Sequence, residues 1–170
     1  HQVLGGSALM IRTAAFFSAF DPHNFAANVI RTLAAGHEVT AAEDLMISPT
    51  YVPDLVDATL DLLIDGETGL RHLANRGAVT WADFARMLAA ELDLDPGLVR
   101  GAPVESFGWP AARPAYAALG TERGWVMPTL ANAIARYGAT VRHAQFASEA
   151  EALADGGRPD LFARPGARAR

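Results

Sequence analysis

The sequence predicts an α/β chain whose few strands pair mostly in parallel. Two observations carry that reading. A short unbroken apolar run, Ala8-Leu-Met-Ile11, fits a strand buried on both faces, as in a parallel sheet. Further extended pieces alternate with amphipathic helical stretches, each closed by a glycine or a turn signal.

Element by element, Gly5-Gly6 precedes the first strand. Asn24 caps a predicted helix over 25–35, where Phe25, Val29, Ile30 and Leu33 share one face and Gly36 supplies the left-handed stop. Residues 38–40 read as a short extended piece. Pro53 suits the first turn of the next helix, and Asp54 and Asp57 favour its positive end. Val56, Leu60, Leu63 and Ile64 form its apolar stripe, and Asp65-Gly66 ends it. Residues 70–74 read as a strand. Thr80 opens the clearest helix, with Asp83 at capping-box spacing and Trp81, Phe84, Ala85, Leu88 and Leu92 on one face. Asp95-Pro96-Gly97 is a turn, and 99–128 reads as irregular and proline-rich. A last helix is expected over 129–137, stopped by Gly138. Residues 1–146 are expected to form one domain. Residues 147–170 read as a mostly disordered tail ending at a natural C-terminus, with one short helix over 148–154.

Composition excludes several function classes. The chain has 170 residues, a net charge of −5, no cysteine, and 14 basic residues that are all arginine. Without lysine there is no Schiff base, no P-loop lysine and no Tyr-Lys proton relay in this chain. Without cysteine there is no disulfide and no thiolate chemistry. The acidic balance offers no footprint for nucleic acid. No apolar run approaches a membrane span, so a soluble, cytoplasmic location is expected.

Four segments together resemble a known family. Ile11-Arg-Thr13 through Asn24-Phe25 is similar to a strand, loop and helix start. Asp44 to Thr50, ending Ser48-Pro-Thr50, is similar to a DQ-x-G-x-PT element. Gly69-Leu-Arg-His-Leu73 with Thr80-Trp-Ala-Asp-Phe84 is similar to a GxxHL strand and its following helix. Arg113-Pro-Ala-Tyr-Ala-Ala-Leu119 is similar to an RPxxSxL signature. In this order they resemble the C-terminal, substrate-binding part of dTDP-4-dehydrorhamnose reductases, within the extended short-chain dehydrogenase/reductase superfamily. The resemblance spans roughly residues 8–137. Ala15 and Phe17 stand where the family tends to carry Trp and Tyr, and Leu45 and Ile47 where it carries Gln and Gly.

The resemblance implies the C-terminal portion of an extended short-chain reductase fold, lacking the N-terminal Rossmann half. It implies a nucleotide sugar, most naturally a dTDP-sugar, bound by Arg12, Thr13, Phe17, Asn24, Phe25, Pro49, Thr50, Arg113 and Pro114. The glycine-rich cofactor turn and the YxxxK helix do not occur here. The isolated chain is therefore expected to bind no cofactor and perform no reduction; the complete parent is expected to use NAD(P)H. The alternative is a non-catalytic binding or regulatory module, including the C-terminal part of a fusion. Expected partners are the Rossmann half and, failing that, a second copy of the chain covering the apolar strand at 8–11.

Single residues leave alternatives open. The planar fork of Arg113 suits a pyrophosphate, or it is an ordinary loop arginine. Arg12 either reaches a phosphate at the carboxyl end of the sheet or pairs with Asp44. Asn24 is a sugar ligand or a helix cap. Pro49 and Thr50 shape a pocket or only a turn. His72 reads as a satisfied structural histidine. Asp54, Asp57 and Asp61 read as a solvated face rather than a Mg²⁺ site. Trp109 and Trp125 flank the Arg113 loop, stacking on a ligand or packing on the core.

Overall fold

A computed structural model of the chain describes residues 8–121, 123 and 127–154, with side chains described as far as residue 144. Trp125 and the arginines of 155–170 lie outside the described residues. The chain divides into two compact units, His1–Gly138 and Ala139–Arg170.

The first unit is built from short strands in four two-stranded pairings. β1 (Leu9–Arg12) runs parallel to β6 (Gly69–His72), β2 (Phe16–Phe17) to β5 (Thr50–Tyr51), and β3 (Val39–Ala42) to β8 (Val99–Ala102). β4 (Met46–Ile47) pairs antiparallel with β7 (Val79–Thr80). The α/β class with mostly parallel pairing is thus the observed one. Strands β2, β4, β5, β7 and β8 were not expected, because pieces of two to four residues carry too little pattern to separate from loop.

Helix α1 (Phe25–Ala34) starts as its sequence predicts. The Asn24 side chain accepts from Ala27 N at 2.9 Å, and Ala26, Val29 and Leu33 are buried. Helix α3 (Trp81–Glu91) is capped by Thr80, whose Oγ1 accepts from Asp83 N at 3.0 Å. The reciprocal half of the box is absent: Asp83 is too short to reach back and pairs with Arg86 at 2.9 Å instead. Val29 and Leu33 of α1 meet Ala85 and Ala89 of α3 and Val99 of β8 in one core cluster.

Helix α2 (Val52–Ile64) reverses one expectation. Asp54, Ala58 and Leu62 face inward, and Ala58 and Leu62 pack on Leu73, Met127, Leu9 and Ile11. The predicted stripe is turned out: Val56, Leu60, Leu63 and Ile64 are 49, 52, 56 and 82 % exposed. Strand β1 is likewise not buried on both faces; Leu9 and Ile11 are half-buried, while Met10 and Arg12 are exposed. Met10 lies beside Leu70 in register, so the two present an open apolar pair.

Helix α4 (Leu130–Ala154) does not stop at Gly138. Gly138 is a close-approach point, where a Cβ would come within 2.6 Å of Glu91 Cγ on α3. Absence of a side chain, not left-handed backbone, is its use here.

An aromatic centre joins these elements. The Phe17 ring, with no exposed surface, lies 5.2 Å from both Tyr51 and Phe84 and 5.4 Å from Tyr137. Burial, with a smaller contribution from Tyr51, pushes the Tyr137 hydroxyl up to about 12.

Two predictions follow from this packing. A tyrosine raised in the folded state stays protonated while the unfolded chain ionises from about pH 10 upward. Stability is therefore complete below pH 10 and falls by about 2–3 kcal/mol as pH rises to 12. Absorbance of tyrosinate is expected to show a phase near pH 12 that disappears in Tyr137→Phe, together with the alkaline loss of stability. A titration above pH 11 that Tyr137→Phe leaves unchanged in a folded sample would contradict the burial. Secondly, Gly138→Ala, which in an open helix gains about 1 kcal/mol, is expected to lose about 1–3 kcal/mol in urea denaturation because Glu91 must move.

Candidate functional site

The described residues of the first unit line a pair of sizeable cavities. The larger, about 610 Å³, is mostly apolar and is walled by helices α1 and α3, strand β3, the β3–β4 connection and the loop after β8. Phe25 and Trp81 form one aromatic corner, ring centroids 4.6 Å apart and edge to face. Ala41, Ala42, Leu45 and Ile47 supply small and branched walls, and Phe107, Trp109, Arg113 and Pro114 come from the loop.

Strand pairing brings these distant segments together. β3 lies against β8 in register Val39↔Val99 to Ala42↔Ala102, carrying the loop after β8 to the cavity. That loop is pinned at both ends. Asp44 accepts from Val104 N at 2.9 Å. Further on, Met46 N donates to Ala115 O at 2.8 Å, Ala117 N to Met46 O at 2.9 Å, and Leu119 N to the buried Ser48 Oγ at 2.9 Å. The stretch expected to be irregular is thus laced along β4, which holds Arg113 and Pro114 at the wall.

Among the described residues, Arg113 is the one charged side chain lining this cavity. Its Cζ lies 5.2 Å from the centroid of the Trp109 ring, and no carboxylate pairs with it among the described residues. A mostly apolar cavity with one uncommitted guanidinium can take a flat apolar ring beside an anion.

The other expected residues separate into groups. Phe25 lines the cavity with Arg113 and Pro114. Arg12 instead lines a second, more polar cavity of about 540 Å³ with Arg71, His72, Thr121 and Arg123. It does not pair with Asp44, whose carboxylate is taken by Val104 N. Thr13 has a buried hydroxyl without a hydrogen-bond partner. Phe17 belongs to the aromatic centre. Asn24 is a cap with its amide fully engaged, donating to Ser18 O and Asp21 O at 2.7 Å each. Pro49 and Thr50 are fully buried, and Thr50 Oγ1 donates to Ser48 O at 3.3 Å. Arg12, Thr13, Phe17, Asn24, Pro49 and Thr50 therefore do not line the apolar cavity.

His72 is satisfied: its Nδ1 lies 2.9 Å from Gly120 O, a carbonyl that can only accept. Asp54 is buried and hydrogen-bonded, and among the described residues no group of three acidic or histidine side chains is placed to hold a metal. Thr40, Ala41, Ala42, Trp81 and Phe107 were not expected at a site. Trp81 had been assigned only to the inward face of its helix. The β3–β8 pairing that places the others leaves no local signal.

Comparison with known proteins is consistent across sequence and structure. The chain is 39 % identical over 125 residues to a dTDP-4-dehydrorhamnose reductase of Mycobacterium tuberculosis, a match spanning 72 % of this chain and 40 % of that protein. It is 34 % identical over 118 residues to a probable dTDP-4,6-dihydroxy-2-methyloxan-3-one 4-ketoreductase of Streptomyces antibioticus, covering 69 % of this chain and 40 % of the relative. The crystal structure of a dTDP-4-dehydrorhamnose reductase from Bacillus anthracis, in complex with NADP, superposes with a TM-score of 0.72 at 26 % identity. That match covers 78 % of this chain and 48 % of the other. The chain thus spans two-fifths to one half of the length of these proteins. The family model of the RmlD substrate binding domain matches residues 2–142, and the chain belongs to that family.

Proposed function

We propose that residues 1–146 bind the nucleotide sugar for a dTDP-4-dehydrorhamnose reductase-like protein. Its complete form would reduce a 4-keto-6-deoxy nucleotide sugar with NAD(P)H. The observation that carries this reading is the apolar, aromatic-cornered cavity with one free guanidinium at its wall. Such a cavity suits a nucleobase, and the Arg113 fork suits a diphosphate bidentately. The reductases it resembles support the substrate class.

Among the described residues, no strand runs through a glycine-rich turn into a helix N-terminus of the kind that cradles a dinucleotide. The loop after β1 passes through Ala15, at φ +48°, into β2 rather than through a glycine-rich turn into a helix N-terminus. The chain has no lysine to serve a Tyr-Lys relay. Hydride and proton transfer are therefore assigned to a cofactor-binding half, matching the share of the relatives' length that this chain does not span.

An open face supports the docking of such a half. Among the described residues, β1 has no strand partner on the edge away from β6. Met10 and Leu70 lie open on one face of that pair, and α2 turns Val56, Leu60, Leu63 and Ile64 outward. A parallel sheet this narrow needs further strands and cover on its faces.

Calorimetric titration tests the binding role. Saturable binding of dTDP-rhamnose, in preference to UDP-glucose and weakened about 10–100-fold by Arg113→Ala, is the expected result. No heat with dTDP-rhamnose or dTDP from a folded sample would overturn it. Sedimentation tests the docking face. Left alone, the chain is expected to self-associate with concentration, and Leu60→Glu with Leu63→Glu to suppress this. A monodisperse monomer throughout would show that the face needs no cover.

A further inference from the structure

The wall of the cavity contains a stack built on Trp109, and its local sequence sets it up. A 3-10 turn over Val104–Phe107 ends at Gly108, which takes φ +60°. That left-handed step brings residues 107 and 109 onto one side of the chain, so the Phe107 and Trp109 rings stack at 5.2 Å with 28° between their planes. The Arg113 guanidinium also lies over the Trp109 ring, its Cζ 5.2 Å from the centroid. Both of these residues precede a proline, Trp109-Pro110 and Arg113-Pro114, which bars each from helical backbone. Gly108 has open space where a Cβ would stand, so its glycine serves backbone conformation rather than packing.

Two further facts define what the stack does. Arg113 is exposed, and nothing else among the described residues holds it by hydrogen bond or ion pair. An arginine held at one ring face keeps its in-plane N–H donors free for a ligand. The Trp109 ring is already engaged by Phe107 and Arg113. The remaining aromatic surface of the cavity is the Phe25–Trp81 corner on the helices.

We propose that Trp109 is a positioning residue for Arg113: it holds the guanidinium stacked at the cavity wall, donors outward, to meet the diphosphate of the nucleotide sugar, and does not itself take the nucleobase. This rests on the nucleotide-sugar reading above and adds to it a division of labour within the site. The diphosphate is read by a pre-set fork on the loop. The base is left to the helical corner. Ordering a free arginine on binding costs affinity, and the stack removes most of that cost beforehand.

The test is a set of titrations on the 170-residue chain with dTDP and with thymidine, which lacks the phosphates. Trp109→Leu is expected to weaken dTDP about fivefold, the size of an exposed cation–π contact, and to leave thymidine unchanged. Trp109→Phe is expected to recover most of the loss, because its face still carries the cation. In an Arg113→Ala background, Trp109→Leu is expected to change dTDP affinity no further. Retained thymidine binding reports that the cavity is intact in each variant. Unchanged dTDP affinity in Trp109→Leu would overturn the proposal, as would equal weakening of thymidine, or additivity with Arg113→Ala. Wild-type chain that fails to bind dTDP would instead overturn the functional reading beneath it.

Discussion

The buried Asp54 carboxylate is the contact on which the arrangement of the first unit depends. It is only 5 % exposed and accepts from Asn75 Nδ2 and from Arg136 Nη2, each at 2.7 Å. Asn75 has no exposed surface; its Oδ1 accepts from Tyr51 N at 2.7 Å, and its Nδ2 also donates to Pro128 O at 3.2 Å. The Arg136 guanidinium lies over the Tyr51 ring, 5.3 Å from its centroid, and Asp54 raises its pKa by hydrogen bonding. One side-chain network thus joins the start of α2, the chain after β6, the entry to α4 and α4 itself. Removing one member takes a partner from the buried Asp54 or Asn75, while the half-exposed Arg136 keeps access to solvent.

That network explains the rotation of α2. Its residues are apolar nearly all round, so hydrophobicity alone does not choose an inward face. Asp54 does. Once its carboxylate is fixed toward Asn75 and Arg136, residues four and eight further on, Ala58 and Leu62, must face the same way. Val56, Leu60, Leu63 and Ile64 are then left outside. The Asp54 side chain also sits in the first turn of α2, where the helix dipole favours its charge.

How far the sequence revealed the fold depended on the range of the interaction concerned. Asn24 and Thr80 were legible as caps because a cap is decided within three residues. The inward face of α3 was legible because small and large apolar residues recur at one period. The face of α2 was not, since its phase is set by Asn75 and Arg136, 21 and 82 residues away. Gly138 carries the same residue type as a helix stop, but its role is decided by Glu91 on another helix. In the site, Arg113, Pro114 and Phe25 were legible through family-like motifs. Phe17, Pro49 and Thr50 lie in such motifs too, yet they are buried and do not line the cavity. Thr40 to Ala42 carry no polar signature, and only the pairing with β8 brings them to the cavity.

The distribution of these parts bears on why a binding cavity and a catalytic centre can be divided between two halves of a protein. The cavity walls come from α1, β3, α3, the start of β4 and the loop after β8. The face proposed for the cofactor-binding half is made of β1, β6 and the outer side of α2, and shares no residue with those walls. On the proposed reading, the walls for base and diphosphate would be separate from that face. In such an arrangement, binding energy gathered remotely from the reacting carbon is available to hold the sugar for chemistry supplied elsewhere. The stack of Phe107, Trp109 and Arg113 belongs wholly to the recognition side. Its effect is expected in nucleotide affinity, whatever the competence of the half that carries the cofactor.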